Sequence, residues 1–346
     1  MKKIALIYNL CKDRGNVEFE AEFDSPSTIE GIKKALSKKY QVQEIEAVRD
    51  FSWIEKLKEF NPDLIFNIAE GFVGPGRESV YTAIYEQLGF NYCGPDSINL
   101  SVCQNKHLTK KLLKDVVNVP SGFVVSELED LKNYALTFPY ILKLNSEGTS
   151  MGINENSVVT NSKELYTQCY YLLNKYKNKP IIVEEFLPGQ DFGMSYVEGL
   201  GVLGPIKINY QNKTGVYDFN LKTFNEDQVN TVGTDEGREE LAIMVRKIVK
   251  TLDIKGYTKF DFRKSNKDNK YYFIEANAQI SLWPHGEVAI AAESNNVSYD
   301  DLVTHIVDNA FLKQEKVNSV GYKGEIMMSK NKTHQGEIKN GRETSF

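Results

Sequence analysis

The chain has 346 residues, enough for two or three domains, and its 41% hydrophobic and 26% charged residues are the balance of an ordinary globular protein. A net charge of −5 with no basic stripe excludes a nucleic-acid partner, so any phosphate handled here is expected to be small and met by individually placed lysines. Cys11, Cys93, Cys103 and Cys169 lack metal-ligand spacing and read as reduced residues of a cytoplasmic protein, and no stretch is long and apolar enough to span a membrane.

The run Ile4 to Tyr8 is too short for the core of a signal peptide and predicts a first buried strand. After a polar, acidic connection from Lys12 to Asp24, Ser25-Pro26 has the form of a helix start, with Ile29, Ile32 and Leu36 on one stripe. A strand over Val42 to Ile45, a helix over Phe51 to Phe60 ended by Pro62, a strand over Asp63 to Ile68 and a helix over Glu78 to Leu88 closed by Gly89 follow. This β-α-β-α-β order predicts a parallel sheet with helices on its faces. It puts the loops Leu10 to Asp24 and Glu70 to Arg77 on one edge, at the carboxyl ends of the strands. The loop Gly71 to Gly76 is glycine-rich but does not fit a dinucleotide fingerprint, which disfavours an α/β oxidoreductase.

Residues 98–115 predict one helix carrying Lys106, Lys110, Lys111 and Lys114, three of them expected on a solvated face. Phe138 to Leu144 is a buried strand with a single lysine, Lys143, which needs a partner for its charge. Directly behind it, Asn145 to Gly152 is a loop of small residues whose backbone N–H groups can approach an anion; an ordinary hairpin turn is the alternative. A helix over 163–176 and a strand over Pro180 to Leu187, with the pair Glu184-Glu185 near its end, come next. Asp191 to Gly201 is strand-like, Tyr210 to Asn230 reads as a long unstructured lid, and Asp235 to Leu252 as a helix with Leu241, Val245, Ile248 and Leu252 inward.

Lys259 to Arg263 and Tyr271 to Asn277 then read as two strands joined by the polar turn Ser265 to Lys270. Period-two alternation puts Glu275 and Asn277 on one face, with Phe273 and Tyr271 behind them, and Asp261 opposite Phe260 and Phe262. If the arms pair, Asp261, Glu275 and Asn277 converge as an oxygen-only set suited to a hard cation such as Mg²⁺; an exposed hairpin with incidental acids is the alternative. Ala278 to Gly286 is a loop. Ser298 to Asp301 has capping-box spacing for a last helix to Phe311, and the tail from Lys313 is expected to pack poorly.

In this order the motifs resemble the ATP-grasp superfamily, most closely its D-alanine–D-alanine ligase branch, over roughly residues 3–311. The resemblance implies an α/β and α+β protein, a parallel α/β (pre-ATP-grasp) domain followed by a two-lobed ATP-grasp fold. Its parts would be a substrate domain over 1–97, a small lobe over 98–187, a large lobe with lid and metal site over 188–315, and a polar tail over 316–346. It implies ATP and one or two Mg²⁺ (or Mn²⁺) ions as cofactors. Lys106 and Lys143 would meet phosphates, Glu147, Gly148, Thr149 and Ser150 the phosphate loop, Glu184, Glu185, Phe186 and Leu187 the adenine, and Asp191 the ribose. Asp261, Glu275 and Asn277 would hold the metal. Tyr217 to Lys222 resembles the family's lid, whose lysine reaches the transferred phosphate. Lys222, Lys259 and Glu22 are therefore the candidate catalytic residues, and Glu78, Tyr217, Ser281, Trp283 and His285 the candidate substrate contacts.

Three departures bear on substrate. Lys259 stands where the family has an arginine used on the acyl intermediate, and loses its planar fork. Ala278 to Trp283 replaces the segment that shapes the second D-alanine pocket, and the first-domain loop lacks the family's Gly-Gly-Thr-Ser-Ala-Glu run, near whose acid Glu22 falls. The implied activity is an ATP-dependent carboxylate–amine ligase forming an acyl phosphate, with small-molecule carboxylate and amine partners, no membrane or nucleic acid, and a homodimer as the common state of relatives. An acceptor other than D-alanine is preferred, a thiol included, against a true D-alanine–D-alanine ligase and a non-catalytic ATP-binding protein.

Overall fold

The computed structural model describes residues 1–12, 20–211, 215–223 and 226–319. Strands β1 (Lys3–Tyr8), β2 (Gln41–Glu46), β3 (Leu64–Asn67) and β4 (Tyr92–Cys93) form a parallel sheet in the order β2-β1-β3-β4. Alternation along β1 sends Ile4 and Leu6 to one face and Ala5 and Ile7 to the other. Helix α1 (Pro26–Leu36) covers the first face with Ile29, Ile32 and Leu36; α2 (Trp53–Phe60) and α3 (Ser79–Leu88) cover the second with Trp53, Leu57, Tyr81 and Tyr85. Ser25 caps α1, accepting from the Thr28 N–H at 3.3 Å, and Gly89 ends α3 at φ 73°. The two loops expected on one edge meet there, where Arg77 pairs with Glu22, and just before the first of them the Asn9 side-chain oxygen accepts from the Glu70 and Gly71 N–H groups at 2.8 and 2.9 Å. Part of the acidic connection, residues 13–19, lies outside the described residues.

The helix predicted over 98–115 is two, α4 (Ser97–Gln104) and α5 (Lys106–Leu113). Asn105, extended at φ −93° and ψ 96°, breaks the first and caps the second by accepting from the Leu108 N–H at 3.0 Å. Leu100, Cys103 and Leu113 pack with Leu241, Val245 and Ile248 of α8 (Arg238–Leu252). This segment, predicted with the small lobe, thus shares the core of the large one.

The small lobe is an antiparallel sheet of β5 (Gly122–Val125), β6 (Tyr140–Leu144), β7 (Val158–Val159) and β8 (Ile181–Glu185), ordered β5-β8-β6-β7, with α6 (Ser162–Lys175) against it. The large sheet runs β11-β10-β9-β12-β13 and is antiparallel: β9 (Gly189–Val197), β10 (Gly201–Tyr210), β11 (Val229–Gly233), β12 (Tyr257–Ser265) and β13 (Tyr271–Asn277). The segment predicted as an unstructured lid carries a short helix, α7 (Phe219–Thr223), and ends in β11; its residues 212–214 and 224–225 lie outside the described ones. β11 escapes pattern reading because it is an edge strand with mostly exposed, partly polar residues.

One face assignment in the hairpin is corrected. The register slips between Asp261 and Phe262, so that Asp261 faces Glu275 while Phe262 faces Phe273. This bulge breaks the period of β13: Tyr271, Phe273 and Ala276 enter the core beside Phe260 and Phe262, and Glu275 lines the cleft. The loop Ala278 to Gly286 leads into α9 (Glu287–Glu293), which the sequence did not reveal, and α10 (Tyr299–Ser319) continues past Phe311. Ser298 caps α10 from its hydroxyl, accepting from the Asp301 N–H at 3.2 Å, so the first part of the supposed tail is helical; residues 320–346 lie outside the described residues. The four cysteines are free and buried, and no helix among the described residues is long and apolar enough to cross a membrane.

Candidate active site

With Phe260 and Phe262 of β12 in the core, Lys259, Asp261 and Arg263 point the other way, into the cleft between the small lobe and the large sheet. Register sets Lys259 against Asn277 and Asp261 against Glu275, so the three residues proposed to hold metal are brought together. The Asn277 amide nitrogen donates to Asp261 Oδ2 at 3.0 Å, which leaves the amide oxygen outside that bond. Glu287, first residue of α9, completes the group: Lys259 Nζ lies 2.8 Å from Asp261 Oδ1 and 2.5 Å from Glu287 Oε2. Burial raises the Asp261 carboxyl, Lys259 lowers it, and Glu275 and Glu287 raise it again, leaving it at about 6. Burial also pushes Glu275 up, but Lys106, Lys222, Lys143 and Lys110 outweigh it and hold the group below the usual carboxylate range.

A wall of lysines faces these acids. Lys106 Nζ lies 3.2 Å from Glu275 and donates to the Glu147 carbonyl at 2.5 Å. Glu184, on β8, is 1% exposed and sits between Lys110 at 2.5 Å and Lys143 at 3.4 Å. Lys110 is thus no solvated lysine: it stands one helical turn after Lys106, on the same face, and burial lowers its ammonium to about 8. Strand position alone does not make Glu184 an adenine contact, because both of its oxygens are taken by lysines.

The loop after β6 turns through left-handed Thr149 (φ 47°) and Ser150 (φ 52°), a conformation that L side chains seldom adopt and that gathers backbone N–H groups at one spot. Gly148 lets the Glu22 carboxylate come close: a side chain there would push that carboxylate aside, and it accepts from the Gly148 N–H at 2.5 Å. Glu22 is also ion-paired with Arg77, whose guanidinium donates to the Ser146 carbonyl at 3.0 Å and lies 3.3 Å from Glu147. Glu22 therefore locks the first domain to the phosphate loop and is not a free substrate acid, as the resemblance had implied.

Between the lobes lies a cleft whose apolar lining includes Ile141, Phe186, Leu187, Ile208 and Ile274. Asp191 lines it too, but its carboxylate is held by Arg263 at 2.9 Å and Tyr210 at 2.5 Å. Arg263, missed in the sequence, donates to the Leu187 and Gly189 carbonyls at 2.6 and 3.2 Å and lies under the Phe186 ring, fixing the hinge. Glu185 lies at the rim, 3.7 Å from Lys267. The Tyr217 carbonyl accepts from the Ser150 hydroxyl at 2.8 Å, and Lys222 lies over the Tyr217 ring, so the lid rests on the phosphate loop. Beyond the junction a second, wider cleft is lined by Glu78, Ser281, Trp283 and His285, with Glu70 and Gln104, which the sequence did not single out. Trp283 and His285 meet edge to face at 5.4 Å between centroids.

The donors present fit a nucleotide and a hard cation. Asp261 Oδ1 and Glu287 Oε2 are buried and make no hydrogen bond beyond their ion pairs with Lys259, the acidic group offers only oxygen, and the slot beside it is apolar. Among the described residues no three or more His, Cys, Asp or Glu come together as a group that could hold a metal ion by themselves; Mg²⁺ takes one or two carboxylates and completes its shell with phosphate oxygens and water.

The sequence model of the family described as D-ala D-ala ligase C-terminus matches residues 123–308, more than half of the chain. The chain is 28% identical over 309 residues to a D-alanine–D-alanine ligase of Thermotoga petrophila, covering 87% of this chain and 97% of that one, and 27% identical to one of Aquifex aeolicus, covering 82% and 94%. The fold is that of a D-alanine–D-alanine ligase from Bacillus anthracis complexed with ATP (TM-score 0.72, 18% identity, 92% of this chain and all of that one). It is also that of a D-Ala:D-Ser ligase from Enterococcus faecalis (TM-score 0.67, 18% identity, 89% and 99%). The chain belongs to the D-alanine–D-alanine ligase family and is an ATP-grasp carboxylate–amine ligase.

Proposed function

We propose that the enzyme uses ATP and Mg²⁺ to turn a small carboxylate into an acyl phosphate and joins it to an amine other than a second D-alanine. One observation carries the reading: the interlobe cleft and the wider cleft share Lys106, Glu147, Tyr217, Lys222, Lys259, Asp261, Glu275 and Glu287, so the charged residues stand where a nucleotide tail and a substrate would meet. Mg²⁺ held by Asp261, Glu275 and Asn277 would neutralise charge on the phosphates. Lys106 and Lys143 hold the phosphates from the lysine wall, and the backbone N–H groups of Thr149 and Ser150 close over them, the Gly148 N–H being held by Glu22. Lys222 reaches the phosphoryl group in transfer from the lid. Lys259 steadies the acyl oxygen as the amine attacks: the C–N bond forms, the C–O bond to phosphate breaks, and the amine loses its proton. The lid excludes water, because acyl phosphates hydrolyse. Buried free cysteines fit a reducing cytoplasm.

A changed acceptor is supported by Trp283, in the segment that departs from the family, with His285 packed against it, and by Lys259 being tied to Glu287. Phosphate release from ATP and Mg²⁺ against panels of D- and L-amino acids, other carboxylic acids, amines and thiols, with mass spectrometry of the product, tests it. D-alanyl-D-alanine formed from D-alanine alone as the best product would replace this reading by that of a true D-alanine–D-alanine ligase. Asp191→Ala should raise KM for ATP by about tenfold, the loss of a charge-assisted hydrogen bond, with a smaller change in kcat. An unchanged KM for ATP would remove the ribose assignment.

A further inference from the structure

The wall of the substrate cleft built by the first domain and the end of α4 holds acidic and amide groups that the chemistry above does not use. Glu70 is 9% exposed and Gln104 7% exposed, and both line this cleft with Glu78. Neither the Glu70 nor the Glu78 carboxyl has an ion pair or side-chain hydrogen bond among the described residues. Both amide atoms of Gln104 are buried without a partner. The cations nearby are committed elsewhere: Arg77 to Glu22, Glu147 and the Ser146 carbonyl, Lys106 to Glu275 and the Glu147 carbonyl.

We propose that Glu70, Glu78 and Gln104 form a subsite for the ammonium group of an amine-bearing substrate, taking the place of Glu22, which the Arg77 guanidinium and the Gly148 N–H occupy. An ammonium carries three N–H donors and no acceptor, and two carboxylates with one amide oxygen match it. Unfilled, the wall is costly: burial and then mutual repulsion push Glu70 well up, and burial followed by Glu22 pushes Glu78 to about 8. A bound cation relieves both. A hydrophobic or anionic side chain would gain nothing there and would leave the Gln104 amide unpaired.

The test, resting on the ligase reading only for the identity of the cleft, is binding of small amines to the ATP-free protein by calorimetry and thermal shift. The probes are alanine of either hand, a diamino acid, a simple diamine, and propionate as the analogue without ammonium. Amine-bearing probes should bind and propionate should not; alanine binding assigns the subsite to an α-ammonium, and binding by the diamino acid and the diamine alone assigns it to a distal one. Glu70→Gln and Glu78→Gln should each weaken amine binding by about tenfold to a hundredfold, from loss of a charge-assisted hydrogen bond, with ATP affinity changed less than about twofold. Propionate binding as tightly as alanine, no amine binding to the parent protein, or unchanged amine binding in both variants overturns the subsite and leaves a protonated, structural acid pair. If neither Gln variant folds, Gln104→Leu and the alanine–propionate comparison still decide. Amine binding without phosphate release for any substrate combination would sink the ligase mechanism and leave the subsite standing.

Discussion

Glu275→Gln is expected to stop ATP-dependent phosphate release, by at least about a hundredfold, without unfolding the protein. The substitution keeps the shape of a side chain that lines the clefts, so β13 and its bulge persist, and Lys106 keeps the Glu147 carbonyl as a partner. What disappears is the charge that Lys106, Lys222, Lys143 and Lys110 hold ionised beside Asp261. With one carboxylate fewer, the site binds a hard cation poorly and the phosphate wall loses its counter-charge. Phosphate release under saturating ATP and substrates, paired with a melting curve, reads both halves. Turnover at the parent rate would remove Glu275 from the metal set.

The largest effect on stability is expected at Glu184. Its carboxylate is almost fully enclosed and touches both Lys110 and Lys143, so Glu184→Gln leaves two ammonium groups facing each other without the carboxylate they both touch. Breaking a buried ion pair from one side costs about 3–5 kcal/mol, because the remaining charge stays desolvated. Glu184→Gln combined with Lys110→Met should recover part of that loss, since the residues act as one unit. Denaturant midpoints of the two variants check this. A single variant within about 1 kcal/mol of the parent would mean that water reaches the lysine wall and that the ion pair is of the weak, solvated kind.

Much of the ligase was readable from residue order. The alternating and helical periods of the first ninety residues, the Ser25-Pro26 start and the Gly89 stop are local signals, and the local structure obeys them. The pairing of Asp261 with Glu275 follows from two apolar strands around one polar turn, and Lys143 announced itself as a charge inside an apolar strand. Lys110, Glu287, Arg263 and Gln104 were silent: each looks like ordinary surface until another element arrives beside it.

Sequence alone determined the order of the parts, the parallel first sheet and the presence of an acid-rich hairpin after a lysine and a glycine loop, because these depend on period, capping and turn chemistry within short windows. Tertiary structure alone decided which charges are spent and which are available. The bulge in β13 chose the face of Glu275, the first domain consumed Glu22 through Arg77 and Gly148, and α9 delivered Glu287 to Lys259. The cause is that a charge's partner is set by distance through space and by loss of water, and neither quantity is written in the spacing of residues along a chain.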